Sequence, residues 1–399
     1  MTSTVARLNY LRIATSGAYV CGILLSRRLW FGAGRTFPRV PIVNSLPPFI
    51  LANDYLLSVL LLVALILSLA SKRPTRYLLA IVTLTALLVL FDLTRLQPWV
   101  YQYVVMLAVL ACWQSRSADL AGPALSGVIL TLNQLVIAAL YFWSGAQKLN
   151  WSFGHEVLPG MLSDARIHLP TTFAAYLSAV AVVVAAGEAL LGVGLLIRQT
   201  RHASVVLALI MHFLVLVLLL AARRNSVVWP WNAGMMVMLV LLFWRCDHVL
   251  LRRDLWRWPG RGLLNHSPRV VFIVCAVMPV LSLFGWWDMY LSAALYSGNT
   301  PVGVVRISEQ VRARLPVPAQ QQVFTTQHGQ LMLPFYEWSL AELNVPPYPE
   351  VRVYRQLARQ VCVYGEDQNE IELIVKERPA LIDGSYAVRR SDCAELSAR

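Results

Sequence analysis

LSGVILTLNQLVIAALYFWSGAQK, residues 125–148, carries one formal charge, and that charge is its last residue. As a helix this run would be about 36 Å long at 1.5 Å per residue, enough to cross a hydrocarbon core of about 30 Å. Comparable apolar runs lie on both sides of it. Spans are expected near 9–26, then at 49–71, 77–96, 99–114, 125–148, 172–198, 203–222, 230–245 and 270–295, the first being the weakest. Their separators are rich in Pro, Gly, Arg and Ser, residues that interrupt helices.

Composition agrees with this reading. The chain is 57% hydrophobic and only 14% charged, where a soluble globular chain carries about a quarter charged residues. Its mean hydropathy is +0.58. The net charge of +13 sits in short basic clusters between apolar runs, which is the pattern of membrane topology and not of nucleic-acid binding. Arg7 and Arg12 precede an apolar segment without a small-residue cleavage site, so that segment is expected to stay as an anchor. From about residue 297 the chain becomes polar for roughly a hundred residues, a size typical of a small domain. The expected fold is an all-α polytopic membrane bundle of about eight or nine spans (1–296) followed by a small α+β domain (297–399). In that domain PEVRVYRQLARQVCVY has helical spacing, and IELIVKERP alternates like a strand.

The basic loops set an orientation. Lys72, Arg73 and Arg76, then Arg198 and Arg201, then Arg245, Arg252, Arg253, Arg257, Arg261 and Arg269 share one parity, expected to be cytoplasmic. The tail then faces outward, away from the cytoplasm. Arg27, Arg28, Arg35, Arg39, Arg223 and Arg224 fall on the outer side and count against the scheme. Of six cysteines, Cys21, Cys112, Cys246 and Cys275 lie in or beside apolar segments. Cys362 and Cys393 lie in the tail and can pair if it faces an oxidising compartment. No Cys/His metal spacing occurs, so no metal is expected. No P-loop, nucleophile elbow or Rossmann fingerprint occurs either.

Charge in a bilayer costs at least a few kcal/mol per group, so polar residues within spans are candidate functional groups. Gln134, Tyr141 and Lys148 are spaced by seven and share a helix face, with Ser144 and Gly145 on the same side. Lys148 can snorkel to the lipid surface. If buried, the loss of hydration favours the uncharged amine, a competent base near neutral pH. Asp92 and Arg95 are three apart and can pair on one helix face, with Gln97 just beyond. Glu188 lies in mid-span and must be protonated or paired, while Gly187, Gly192 and Gly194 around it suggest tight helix packing. His212 interrupts an otherwise apolar span as either a satisfied structural group or a proton carrier. Asn232, after VVWPW, can both donate and accept inside the membrane.

The stretch Tyr141, Phe142, Gly145, Lys148, Leu149 resembles the Tyr-Phe-x-x-Gly-x-x-Lys-Leu helix end of the vitamin K-dependent gamma-carboxylase family and its bacterial relatives with the HTTM domain. The resemblance covers mainly residues 50–245. It implies that Lys148 is the base that deprotonates a lipid quinol, a vitamin K-type hydroquinone, before oxygen-driven base chemistry on an acceptor. His212 is similar in placement to a histidine of that family. Glu188 and His212 would then hold or relay protons. Arg95 and Asn232 would bind oxyanions or quinone carbonyls, within a set of binding residues that also includes Asp92, Gln97, Tyr141 and Gln147. Two departures are plain. Gln147 stands where the animal members have a second lysine, and the tail is far shorter than their lumenal part. The same glycine–lysine ending occurs in the DoxX-like group of small membrane proteins, which implies the alternative of a non-catalytic quinone- or lipid-binding protein or a partner of a redox complex. The expected partners are membrane lipid and a quinone. A transporter is disfavoured because two matching halves with broken helices are not seen.

Overall fold

The computed structural model describes residues 3–43, 53–114, 123–246, 267–367 and 370–398. The first residues expected in the second span, and Arg252, Arg253, Arg257 and Arg261, lie outside these. The principal helices are α1 (Thr4–Leu25), short α2 (Arg27–Phe31), α3 (Asp54–Ala70), α4 (Thr75–Phe91), α5 (Pro98–Gln114) and α6 (Pro123–Gln147). They continue with α7 (Leu177–Leu196), α8 (Arg201–Ala222), α9 (Val228–Phe243) and α10 (Ser267–Phe272). A π-turn Ile273–Val277 and a 3-10 stretch Met278–Phe284 extend α10. Among the described residues four helices are long and apolar enough to cross a membrane: α1, α6, α7 and α8. Five other apolar helices are 17 residues or shorter. At 1.5 Å per residue 17 residues rise about 25 Å, a little less than a hydrocarbon core.

Several span ends differ from the sequence reading: the first span begins already at Thr4, and the sixth is continuous only from Leu177. The third span stops at Phe91, because Asp92 leaves the helix in an extended conformation (φ −157°) and caps a 3-10 turn at Leu93–Arg95. The ninth stops at Phe284, where Gly285 turns the chain with φ +73°.

Successive helices run in alternating directions, so their turns collect at two ends. At one end lie residues 3–8, 71–74, 197–200 and 244–246. There Arg7 donates to the carbonyls of Leu241 (3.0 Å) and Arg245 (3.3 Å), and Arg201 donates to Cys246 O (2.8 Å). At the other end lie residues 26–43, 92–97, 147–170 and 223–227, together with the tail. α6 is the central helix: 83% of its most apolar stretch is buried, against 33% and 22% for α7 and α8 at the periphery.

The tail forms an antiparallel five-stranded sheet, ordered β2-β3-β1-β4-β5, from β1 (Val302–Ile307), β2 (Phe324–Thr325), β3 (Leu331–Pro334), β4 (Ile371–Lys376) and β5 (Val388–Asp392). Period-two burial puts Val305, Leu333 and Leu373 in register on one face. That face meets Val353, Leu357 and Val361 of the amphipathic helix α12 (Val351–Val361). A disulfide joins Cys362, just after α12, to Cys393, just after β5, with Cα atoms 5.8 Å apart.

Polar contacts dock the tail on the bundle end. Glu342, in α11 (Phe335–Leu343), accepts from Thr36 Oγ1 (2.7 Å), Phe37 N (3.0 Å) and Trp338 Nε1 (2.9 Å), and also from Thr36 N. Asn344 donates to Leu25 O at 3.1 Å. Glu350 sits in this interface and accepts from Met289 N at 2.9 Å. Burial, reinforced by the neighbouring Asp288 charge, raises its carboxyl to about 7 against the opposing hydrogen bond and the Arg352 charge. The folded protein therefore binds more protons than the unfolded chain between the ordinary carboxylate value and about pH 7. This contribution is full at low pH and is lost as pH rises toward 7. Thermal midpoints should fall from pH 5 to pH 8 by an amount corresponding to roughly 1–3 kcal/mol, and Glu350→Gln should remove that part of the slope. An unchanged slope in Glu350→Gln would show that Glu350 is not the group responsible.

Candidate functional site

Four helices bring Lys148, Glu188, Tyr141, His212 and Asn232 together. Lys148 follows the last residue of α6, and Glu188 lies in the middle of α7. The lysine Nζ donates to both carboxylate oxygens of Glu188, at 3.1 and 2.9 Å, and to Ser144 Oγ at 2.7 Å. These contacts engage all three ammonium protons. The two side chains are 12% and 11% exposed, so the pair lies at the edge of the α6–α7 seam.

The seam is narrow because two glycines make it so. A Cβ on Gly145 would lie 2.3 Å from Ala189 N and 2.5 Å from Ala185 O. A Cβ on Gly192 would lie 2.5 Å from Ala138 O. Each helix thus offers a glycine to the other's backbone, which is how small residues let membrane helices approach. The space beside Lys148 that the sequence left open to a ligand or a helix is taken by α7. Gly194 packs instead on Ser204 of α8, and Gly187 has nothing near it, so of the three glycines around Glu188 only Gly192 serves the α6–α7 contact.

Two turns before Lys148 in the same stripe, the Tyr141 hydroxyl bonds His212 Nε2. His212 Nδ1 lies 2.8 Å from Asn232 Oδ1, and Asn232 Nδ2 donates to Val228 O at 2.8 Å. That carbonyl can only accept, so the Asn232 amide is oriented with its oxygen toward histidine. His212 therefore carries its proton on Nδ1, and Nε2 accepts from Tyr141. The result is two hydrogen-bonded groups, the amine with its carboxylate and, two turns earlier on α6, the phenol with imidazole and amide. Gln134, the third member of the stripe, donates to Leu242 O at 2.6 Å and is structural.

Asp92, Arg95, Gln97 and Gln147 do not join these groups. Asp92 and Arg95 do not form the expected helix-face pair, because the helix ends before them. Asp92 accepts from Arg35 Nη1 at 2.6 Å, and Arg95 Nη2 donates to Asp54 Oδ2 at 2.5 Å. Arg39 reaches the other oxygen of Asp54 at 3.1 Å. Arg95 is fully buried, and its Nε and Nη1 donate to Leu29 O and Leu88 O. With each nitrogen committed to α2, α3 and α4, it is a tie between helices and not an oxyanion binder. Gln97 donates to Thr94 O (2.9 Å) and Pro346 O (3.0 Å), helping to dock the tail. Gln147 donates to Ser282 Oγ (2.8 Å) and accepts from Asn299 Nδ2 (2.7 Å), joining α6 to the tail-side loop.

Sequence reasoning missed Asp54 and Glu342. The available signal was Asp54 at the start of an apolar run, at the bundle end to which parity assigns Arg95. Arg35 and Arg39, which count against the topology by charge alone, are both paired in this buried network.

No protein-family model matches the chain, and no curated protein or solved structure does.

Proposed function

We propose that this chain is a polytopic membrane protein of eight or nine spans, in a bacterial inner membrane, that takes a proton from a lipid-soluble quinol at Lys148 in the manner of the gamma-carboxylase and HTTM group. The single observation that carries the reading is the Lys148–Glu188 pair at the edge of the α6–α7 seam, on the helix that also carries Tyr141, whose hydroxyl bonds His212 and through it Asn232. Helical bundles build their sites from such facing polar residues. Four long apolar helices are consistent with a membrane setting.

The residues fit such a ligand in chemistry and in access. Amine, carboxylate, phenol and imidazole can accept and pass protons, and the pair lies at the edge of the seam beside exposed Phe142 and Leu149. An amphiphile entering sideways from lipid meets the pair at that edge. A bound hydroquinone supplies an acidic hydroxyl and two reducing electrons. The chain does the rest. Moving the ammonium proton from Lys148 to Glu188 leaves a neutral amine and a neutral acid, with no change of net charge in a low dielectric. The freed amine is then the base. Tyr141 orients on His212, and His212 holds its second nitrogen on Asn232, so a proton can be held two turns below the amine.

Lys148→Ala should lower quinol-dependent turnover by roughly 10²–10⁴-fold, the usual worth of a positioned base. Purified wild-type protein should also carry an extractable quinone that Lys148→Ala lacks. Full turnover in Lys148→Ala refutes the base role. One observation favours a second, non-catalytic reading of the DoxX-like kind: every donor of Lys148 is already satisfied. On that reading Lys148→Ala loses stability, and a Lys148→Met/Glu188→Met double variant recovers it with quinone content unchanged.

A further inference from the structure

Arg12 lies on the inward face of α1 and is only 6% exposed. Its Nε and Nη1 make no hydrogen bond. A buried guanidinium with unmade bonds is costly, and an ionised group at such depth normally has a counter-charge. The position on α1 indicates where one could come from. Ser16, one turn along the same face, bonds Ser68 Oγ near the end of α3 (3.0 Å). Helical side chains lean toward the helix N-terminus, which carries the Arg12 head toward the end holding residues 3–8 and the 71–74 turn.

The described residues at that end carry basic charge. Arg7, Lys72, Arg73, Arg76, Arg198 and Arg245 cluster there. Among the described residues no Asp or Glu occurs in 3–8, 71–74, 197–200, 244–246 or 267–270. Asp119, Asp247 and Asp254 lie outside the described residues. The tail end differs, since there Asp54, Asp92 and Glu342 meet the buried basic groups and backbone donors.

We propose that Arg12 is the buried half of a site for a phosphate-bearing anion, and that in the membrane its occupant is the headgroup phosphate of an anionic lipid. A guanidinium presents two parallel N–H groups to a phosphate. Basic residues at the same end would gather such lipids around it. This inference rests on the membrane reading but not on the quinol reading.

The test uses the full chain in a neutral detergent, wild type against Arg12→Met. Native mass spectra and thermal midpoints are taken with phosphatidylglycerol, phosphatidylcholine or inorganic phosphate. Wild type should retain phosphatidylglycerol at least about tenfold more strongly than phosphatidylcholine, as expected for a charge-assisted bond. Arg12→Met should lose that preference. In lipid-free detergent it should melt above wild type, because an uncompensated buried charge is gone. Phosphatidylglycerol should raise only the wild-type midpoint. If inorganic phosphate raises it equally, the anion site stands and its occupant is a free ion. Equal phosphatidylglycerol retention by wild type and Arg12→Met overturns the proposal. Should Arg12→Met fail to fold, Arg12→Lys keeps the charge but loses the fork and should show a weaker preference; an undiminished preference there also overturns it. A chain that does not fractionate with membranes fails the membrane reading before any Arg12 variant is compared.

Discussion

Asp54→Ala should cost about 3–5 kcal/mol of stability, the usual loss when one member of a buried ion pair is removed. Asp54 is 1% exposed and accepts from both Arg95 (2.5 Å) and Arg39 (3.1 Å). Removing it leaves Arg95, with no exposed surface, without its carboxylate hydrogen-bond partner among α2, α3 and α4, since the nearby Asp92 is bonded to Arg35. The damage should spread to the tail. The loop that follows α2 carries Arg35 and Arg39 of this network, and between them Thr36 and Phe37, which hold Glu342. The double variant Asp54→Leu/Arg95→Met should recover most of the loss, because apolar groups of similar volume replace a buried pair with little penalty. Denaturant unfolding of the four members of this cycle measures it. A loss below about 1 kcal/mol for Asp54→Ala would mean that the pair is effectively hydrated and contributes as little as a surface pair does.

Gly145→Ala should be almost as severe, at about 3 kcal/mol, the upper part of the range for overpacking. The new methyl would meet main-chain atoms of Ala185 and Ala189 at 2.3–2.8 Å, and a helix backbone cannot rotate aside as a side chain can. α6 and α7 must therefore separate. Lys148 and Glu188, held at 2.9 Å across this seam, would part with them. Gly187→Ala is the control on the same helix as Glu188. Nothing lies within 4 Å of its added methyl, so it should be neutral or stabilise by the ~0.5–1 kcal/mol that alanine gains over glycine in a helix. Thermal midpoints of the two variants should move in opposite directions. A neutral Gly145→Ala would show that the seam can open, which would favour lateral entry of a ligand beside Lys148.

Much of the architecture was legible in the sequence. The long apolar runs name the helices, because an uninterrupted apolar segment can satisfy its backbone only by coiling on itself. Their ends were less legible where backbone conformation decides, as at Asp92, whose side chain caps the next turn, and at Gly285. The tail strand at Ile371–Lys376 and the helix at Val351–Val361 follow from periods of two and 3.6, each reporting one buried face. The stripe Gln134–Tyr141–Lys148 could be read for the same reason, since residues seven apart always share a helix face.

Partnership is a different matter. Lys148 finds Glu188 forty positions later, Arg95 finds Asp54 forty-one positions earlier, and Tyr141 finds His212 seventy-one positions on. Spacing favoured Asp92 with Arg95, yet the end of α4 and the approach of Arg35 gave each a different partner. The sequence by itself determined which long apolar segments are helical, that Gln134, Tyr141 and Lys148 share a helix face, and which polar residues interrupt those segments. Only the tertiary structure decided which of those residues meet. The order and rotation of packed helices are set by where two backbones can touch, and Gly145 against Ala189, with Gly192 against Ala138, is such a place.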